Sequence, residues 1–225
     1  MYFITKIPQT IVELRWESPL PGSADLRARQ LRGAIAHAFP ENNCFHQHTE
    51  TGVLYRYPQI QYRWRNGYGI VVGWNESAET LLNLPWLDLP LQLGKDTVCV
   101  NDVPLKIGHA QFGNSERLLF YHFVTPISLF NQENYKKYIR MDEMAQRDEQ
   151  NRLLIAQILI ALRELGVDFT AQLYAAFTQA SANTTFYKEE KLMGIMGKFV
   201  TNALLPSGFA MGRAVSHGYG WVEPI

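Results

Sequence analysis

The chain has 225 residues, room for one large core or two small ones, and domains of about 100–150 residues favour two. Its 21 basic and 21 acidic side chains cancel, which excludes indiscriminate binding to nucleic acid through a broad cationic surface but leaves room for a local basic track in residues 1–70. The two cysteines, Cys44 and Cys99, exclude a secreted disulfide scaffold, and with no signal-peptide profile at the N-terminus they point to a reducing cytoplasm.

Residues 3–16 alternate loosely between apolar and polar and predict a strand. Ser23 is placed to cap a helix over residues 24–38, with Leu26, Leu31, Ile35 and Ala38 as its buried stripe and Arg27, Arg29 and Arg32 elsewhere on its surface. Pro40 stops it. A polar loop, ENNCFHQHTETG, leads into strand-like runs over 53–57 and 59–64, and Asn66-Gly67 makes the hairpin turn before a strand over 68–74. A short helix over 76–84 follows, then a connection bracketed by Pro85 and Pro90. Residues 97–100 and 103–107, with Asn101-Asp102 as the turn, predict a closing hairpin. Strand, helix, strand, strand, helix, strand is the ferredoxin-like order.

Residues 113–116 mark a seam. Beyond it come a strand run over 118–130, a helix capped by Asn131, a longer helix over 143–165 and strands near 169–177 and 198–204, before a glycine-rich tail. The apolar run 153–162 inside the long helix is about half the length that spans a bilayer, so it is a buried helix and no membrane partner is expected. The element order predicts an α+β protein of two tandem ferredoxin-like domains, 1–113 and 114–225, without a detectable sequence repeat.

His46-Gln47-His48 lies in the polar loop. In an extended segment, residues two apart face the same way at about 6.6 Å, so two imidazoles could bracket one phosphate and exchange protons with it. Tyr55, Tyr57 and Tyr62 follow closely, and Arg32 and Arg56 could neutralise charge on a phosphorane-like centre. Two simpler readings stay open: the histidines are merely solvated, or Cys44, His46 and His48 supply three ligands to a zinc ion that lacks a fourth. The strand YRYPQIQYR interleaves tyrosine with Arg56 and Arg63, as base-stacking sheets do and as ordinary strands also do. In the tail, Gly208, Gly212, Gly218 and Gly220 surround Arg213, Ser216 and His217. That composition suits a phosphate cradle of backbone N–H groups, or equally a tight turn closing the fold.

Taken in order, "LRG" (Leu31, Arg32, Gly33), "FHQH" (Phe45 to His48), "YRYPQIQYR", "NQENYKKY" after a strand, and "F..N..LP" leading into "GRAVSHGYG" resemble one family across essentially the whole chain. It is the CRISPR-associated repeat-cleaving endoribonucleases, which cut precursor CRISPR RNA, and the likeness is strongest to their b-type branch. The resemblance implies two RNA-recognition-type domains and a metal-independent reaction in which the RNA's own 2′-OH attacks the adjacent phosphate, leaving a 2′,3′-cyclic phosphate and a 5′-OH. It implies no cofactor. His46 and His48 match the family's histidine pair, Tyr55 a tyrosine just beyond it, and Arg32 the basic residue of "LRG". Arg56, Arg63, Lys198 and the tail residues Gly208, Gly212, Arg213, Ser216, His217, Gly218 and Gly220 become candidates for gripping repeat RNA. Other CRISPR effector subunits and a second copy of the chain are candidate partners. The chain has no lysine between Lys6 and Lys95, so arginine must supply charge near the histidines, and Ala210 stands where the family's loop has its first glycine, which requires a negative φ there. Two other functions fit the same residues: a catalytically silent subunit holding the repeat-derived end of a guide RNA, and a zinc-dependent hydrolase.

Overall fold

The computed structural model describes residues 3–45, 48–49, 52–53, 57–187 and 190–225; for 43, 48–49, 52–53, 183–187 and 190–192 it describes the backbone alone. The chain forms two units. The N-terminal unit is Ile7–Ala110 together with Val215–Gly218, and the C-terminal unit is Met1–Lys6, Gln111–Ala214 and Tyr219–Ile225.

In the N-terminal unit, β1 (Ile4–Leu14, from Ile7 onward) precedes α1 (Ala24–Ala38). Two short paired strands follow, β2 (His48–Thr49) and β3 (Gly52–Val53). Then come β4 (Ile60–Arg65), β5 (Tyr68–Trp74), α2 (Glu76–Leu82), β6 (Pro90–Leu93), β7 (Asp96–Cys99) and the start of β8 (Leu105–Phe123). The strand order β8-β1-β5-β4, with β1/β5 and β5/β4 antiparallel, is the ferredoxin-like sheet. Its core joins Val12 and Leu14 of β1 to Leu31 and Ile35 of α1, Leu81 of α2, and Ile60, Tyr62 and Val71 of the sheet.

Two expectations change here. The buried stripe of α1 is Arg27, Ala28, Leu31, Ala34 and Ile35, while Leu26 is 44% exposed. Arg27, only 8% exposed, is bearable inside because it is fully engaged: its guanidinium donates to the Pro21 carbonyl at 2.6 and 2.8 Å and to Asp96 Oδ2 at 2.8 Å, and lies 5.8 Å from the Trp64 ring centroid. The hairpin after α2 is β6 with β7, turning at Gly94 (φ +68°), rather than the pair over 97–107. Leu91 and Leu93 alternate into the core and make a strand of what the flanking prolines suggest is a connection.

In the C-terminal unit, β8 continues as Gln111–Phe123, and residues 113–116 lie within that strand. It is followed by α3 (Gln132–Tyr138), α4 (Glu143–Glu164), β9 (Ala175–Tyr187), β10 (Glu190–Leu204), β11 (Phe209–Ala210) and β12 (Trp221–Pro224). Asn131 caps α3 as expected, its Oδ1 accepting from the Asn134 amide at 2.7 Å. The antiparallel order β12-β8-β10-β9 repeats the order of the first unit, so this is a second ferredoxin-like sheet whose last crossover carries no α-helix. The strand expected near 169–177 is misplaced, since residues 169–174 are not strand and β9 begins at Ala175; β9 and β10 then pair from Ala175↔Thr201 out to Tyr187↔Glu190, far beyond the expected 177 and 198. Among the described residues, no helix is long and apolar enough to cross a membrane.

Candidate active site

Val215–His217 forms one turn of 3₁₀ helix that packs on α1 and β4 of the N-terminal unit. Gly218 makes the close approach attainable. It has φ +89°, and a Cβ there would stand 2.7 Å from Ala28 Cβ. This packing brings His217 to Arg32, whose Nη1 donates to His217 Nε2 at 2.6 Å. A guanidinium has no acceptor, so the imidazole must present the bare Nε2 and carry its proton on Nδ1, which donates to Ser216 Oγ at 3.2 Å. The head group of Arg32 is thus fixed by the tail.

Arg32 and Ser216 line a cavity of about 230 Å³ whose walls also include Cys44, Phe45, Tyr57 and Tyr62. Burial pushes the Cys44 thiol up to about 11. It also raises the Tyr62 hydroxyl, against the partly opposing charge of Arg32. Both therefore stay neutral, and Arg32 supplies the cation of the cavity. Phe45 and Tyr57 are the described residues on either side of the chain segment that carries the histidines.

The other predicted residues separate. His46, Tyr55 and Arg56 lie outside the described residues, as does the zinc alternative that needs His46; of His48 only the backbone is described, in β2 opposite Val53. Arg63 is 2% exposed, its Nη2 donating to Gln61 Oε1 at 2.8 Å, so it is a buried sheet residue rather than an RNA contact. Lys198 and Arg213 are exposed on the C-terminal unit. Gly208 (φ +81°), Gly212 (φ +96°) and Gly220 (φ +70°) hold turns of that unit.

The cradle of glycine amides does not form at Gly218 and Gly220, because those groups are spent internally: Gly218 N–H donates to the Val215 carbonyl at 3.1 Å and Gly220 N–H to the Pro126 carbonyl at 2.9 Å. The turn reading accounts for both. Ala210 pairs with Trp221 in β11 and is not among the positive-φ residues, whereas Ala214, unremarkable in sequence, has φ +57°. Cys44 and Tyr62 line the cavity without a sequence pattern that marks them, since residues 60–64 of β4 are buried on both faces.

Comparison with known proteins decides the family. The Cas6b N-terminal domain matches residues 6–111 and the Cas6b C-terminal domain matches residues 113–225. The chain belongs to the Cas6b family. A crystal structure of Cas6b superposes with a TM-score of 0.89 at 23% identity, covering 98% of this chain and 100% of that one. A crystal structure described as the CRISPR RNA processing endoribonuclease Cas6b gives a TM-score of 0.76 at 21% identity over 98% and 100% of the two chains. An uncharacterized protein of Methanocaldococcus jannaschii is 29% identical over 145 residues, 64% of this chain and 96% of that protein. In this Cas6b-family chain, then, the described part of the site offers a fixed guanidinium lining a small cavity walled in part by Phe45, Tyr57 and Tyr62, an arrangement suited to holding a phosphate and the group attached to it.

Proposed function

We propose that the protein is a metal-independent endoribonuclease that cuts precursor CRISPR RNA within its repeats. The 2′-oxygen attacks the adjacent phosphorus and the P–O5′ bond breaks, giving a 2′,3′-cyclic phosphate and a 5′-OH. Of His46 and His48, one takes the 2′-OH proton and the other returns a proton to the leaving 5′-oxygen, while Tyr55 adds a hydroxyl donor. Arg32 balances the charge that builds on the non-bridging oxygens. The observation that carries this reading is the Arg32–His217 contact at a cavity walled by Phe45, the residue bonded to His46. Membership of the Cas6b family and the likeness to a solved CRISPR RNA processing endoribonuclease support the substrate class.

The test is single-turnover cleavage of the repeat RNA encoded beside the gene. Cleavage should survive excess EDTA and stop when the 2′-OH just upstream of the cut is removed. His46→Ala and His48→Ala should each lower the rate by about 10²–10⁴ with affinity nearly unchanged. Activity restored only by added metal would overturn the mechanism. Tight binding without any cutting would make the protein the RNA-holding subunit of an effector complex.

A further inference from the structure

Resting on that reading, we propose that the open face of the C-terminal sheet is a second RNA contact, a platform on which Phe120 and Tyr174 stack unpaired bases of the substrate. Along β8, Tyr121 and Phe123 turn into the core, so Phe120 and His122 turn outward. The register carries that outer face across the sheet. Phe120 lies opposite Val200, its carbonyl accepting from the Ile225 amide at 3.0 Å, and His122 lies between Lys198 and Glu223. Tyr174, the residue before β9, comes to the same face because Ala175, paired with Thr201, is core. Four large apolar side chains are therefore bare on one face: Leu118 is 46% exposed, Tyr174 50%, Phe120 57% and Ile225 68%.

Such a patch marks a docking surface, and the neighbouring row selects the occupant. Lys198 is exposed, His122 is half-buried, and among the described residues neither side chain has an ion-pair partner. The carboxylate in that row, Glu223, is taken up within the protein, accepting from Trp221 Nε1 at 2.7 Å and from Ser207 Oγ. The face thus sets aromatic rings beside a free cation and an imidazole, with its negative charge tied down, which fits a polyanion that carries flat apolar groups. RNA-recognition modules stack bases on aromatics of the central strands of a four-stranded sheet, and β8 is central here, between β12 and β10. Phe120 and Tyr174 stand two strand spacings apart, roughly 10 Å, so each takes its own base. Stacking uses only the π-face of a base, so the platform adds affinity without sequence preference.

The test uses the full-length protein and its repeat RNA. Ultraviolet cross-linking with peptide mass mapping should attach nucleotide to the peptide that contains Phe120. Phe120→Ala should weaken binding by about 5- to 100-fold at unchanged Tm. Phe120→Trp should bind like the wild type, whereas Phe120→Leu, apolar but without a ring, should behave like the alanine variant. Lys198→Ala should lower the salt slope of log affinity by about 0.7. At saturating protein, the Phe120 variants should cut at the wild-type rate. If Phe120→Ala binds as tightly as the wild type, or leucine restores what alanine loses, while the wild type still cuts its repeat, the inference is wrong. A wild-type dimer that Phe120→Ala converts to monomer in sedimentation, with RNA affinity unchanged, would assign the face to a second copy and also overturn it. If the wild type neither binds nor cuts repeat RNA, the endoribonuclease reading fails and takes the inference with it.

Discussion

Arg32 owes its direction to a residue far along the chain: His217 accepts its hydrogen bond at 2.6 Å. Removing the cation in Arg32→Ala should slow single-turnover cleavage by roughly 10²–10³, and Arg32→Lys should rescue little, since an ammonium lacks the planar fork. His217→Ala should cost less, about tenfold, and His217→Gln should recover most of it because an amide oxygen can accept the same bond. Equal rates for the alanine and glutamine variants would show that His217 does not position Arg32. The cysteines offer a second check. Cys99 is exposed, whereas burial holds the half-buried Cys44 thiol up to about 11. At pH 8, iodoacetamide should label Cys99 first, and Cys44 should react only as pH rises toward that value, read by peptide mass mapping. The burial of single side chains is the feature least legible in the sequence. Arg27 and Arg63 are charged in sequence and buried in the fold, because charge is visible in a sequence while the Pro21 carbonyl, Asp96 and Gln61 that accept from them are not.

At the level of elements, α1 carries a glycine in its interior, Gly33, and a Cβ added there would meet nothing within 4 Å. Gly33→Ala should therefore stabilise the protein by about 0.5–1 kcal/mol, raising Tm by roughly 1–4 °C. If RNA backbone approaches the helix beside Arg32, the same change should weaken binding, which separates a ligand contact from an accident of sequence. Elements whose signal is local were legible: α4 from its long apolar run, α3 from its Asn131 cap, β4 and β5 from the Asn66-Gly67 turn between them. The outer part of the β9–β10 hairpin was not. Gln179 to Ala182 are exposed and have little intrinsic strand preference, so pairing with the facing strand, not local propensity, makes them β. The β6–β7 hairpin escaped for the opposite reason: Pro90 is tolerated at the first position of a strand, where it reads in sequence as a break.

At the level of the molecule, the ferredoxin-like order was legible twice because it depends only on the succession of strands and helices, and the two sheets repeat it as β8-β1-β5-β4 and β12-β8-β10-β9. What composition alone left open was the purpose of the glycine-rich tail. Its glycines serve backbone geometry, and Gly218 serves the N-terminal unit. Gly218→Val should cost about 2–4 kcal/mol through positive φ and the clash with Ala28. The damage should be local. Hydrogen exchange should accelerate in α1 and β4, against which Val215–His217 packs, and stay unchanged in α4 and β9. Uniform acceleration throughout the chain would contradict it.

The placement of Val215–Gly218 in the N-terminal unit bears on how the protein is made. At about 5–20 residues per second, the ribosome completes Ile7–Ala110 on the order of ten seconds before it supplies the turn that orients Arg32. Until then the nascent first half lacks the partner for its own cation. A chain that stops between Ala110 and Val215 has the helix that carries Arg32 but not His217, which orients its guanidinium, so alignment of this residue waits on the second half of the chain.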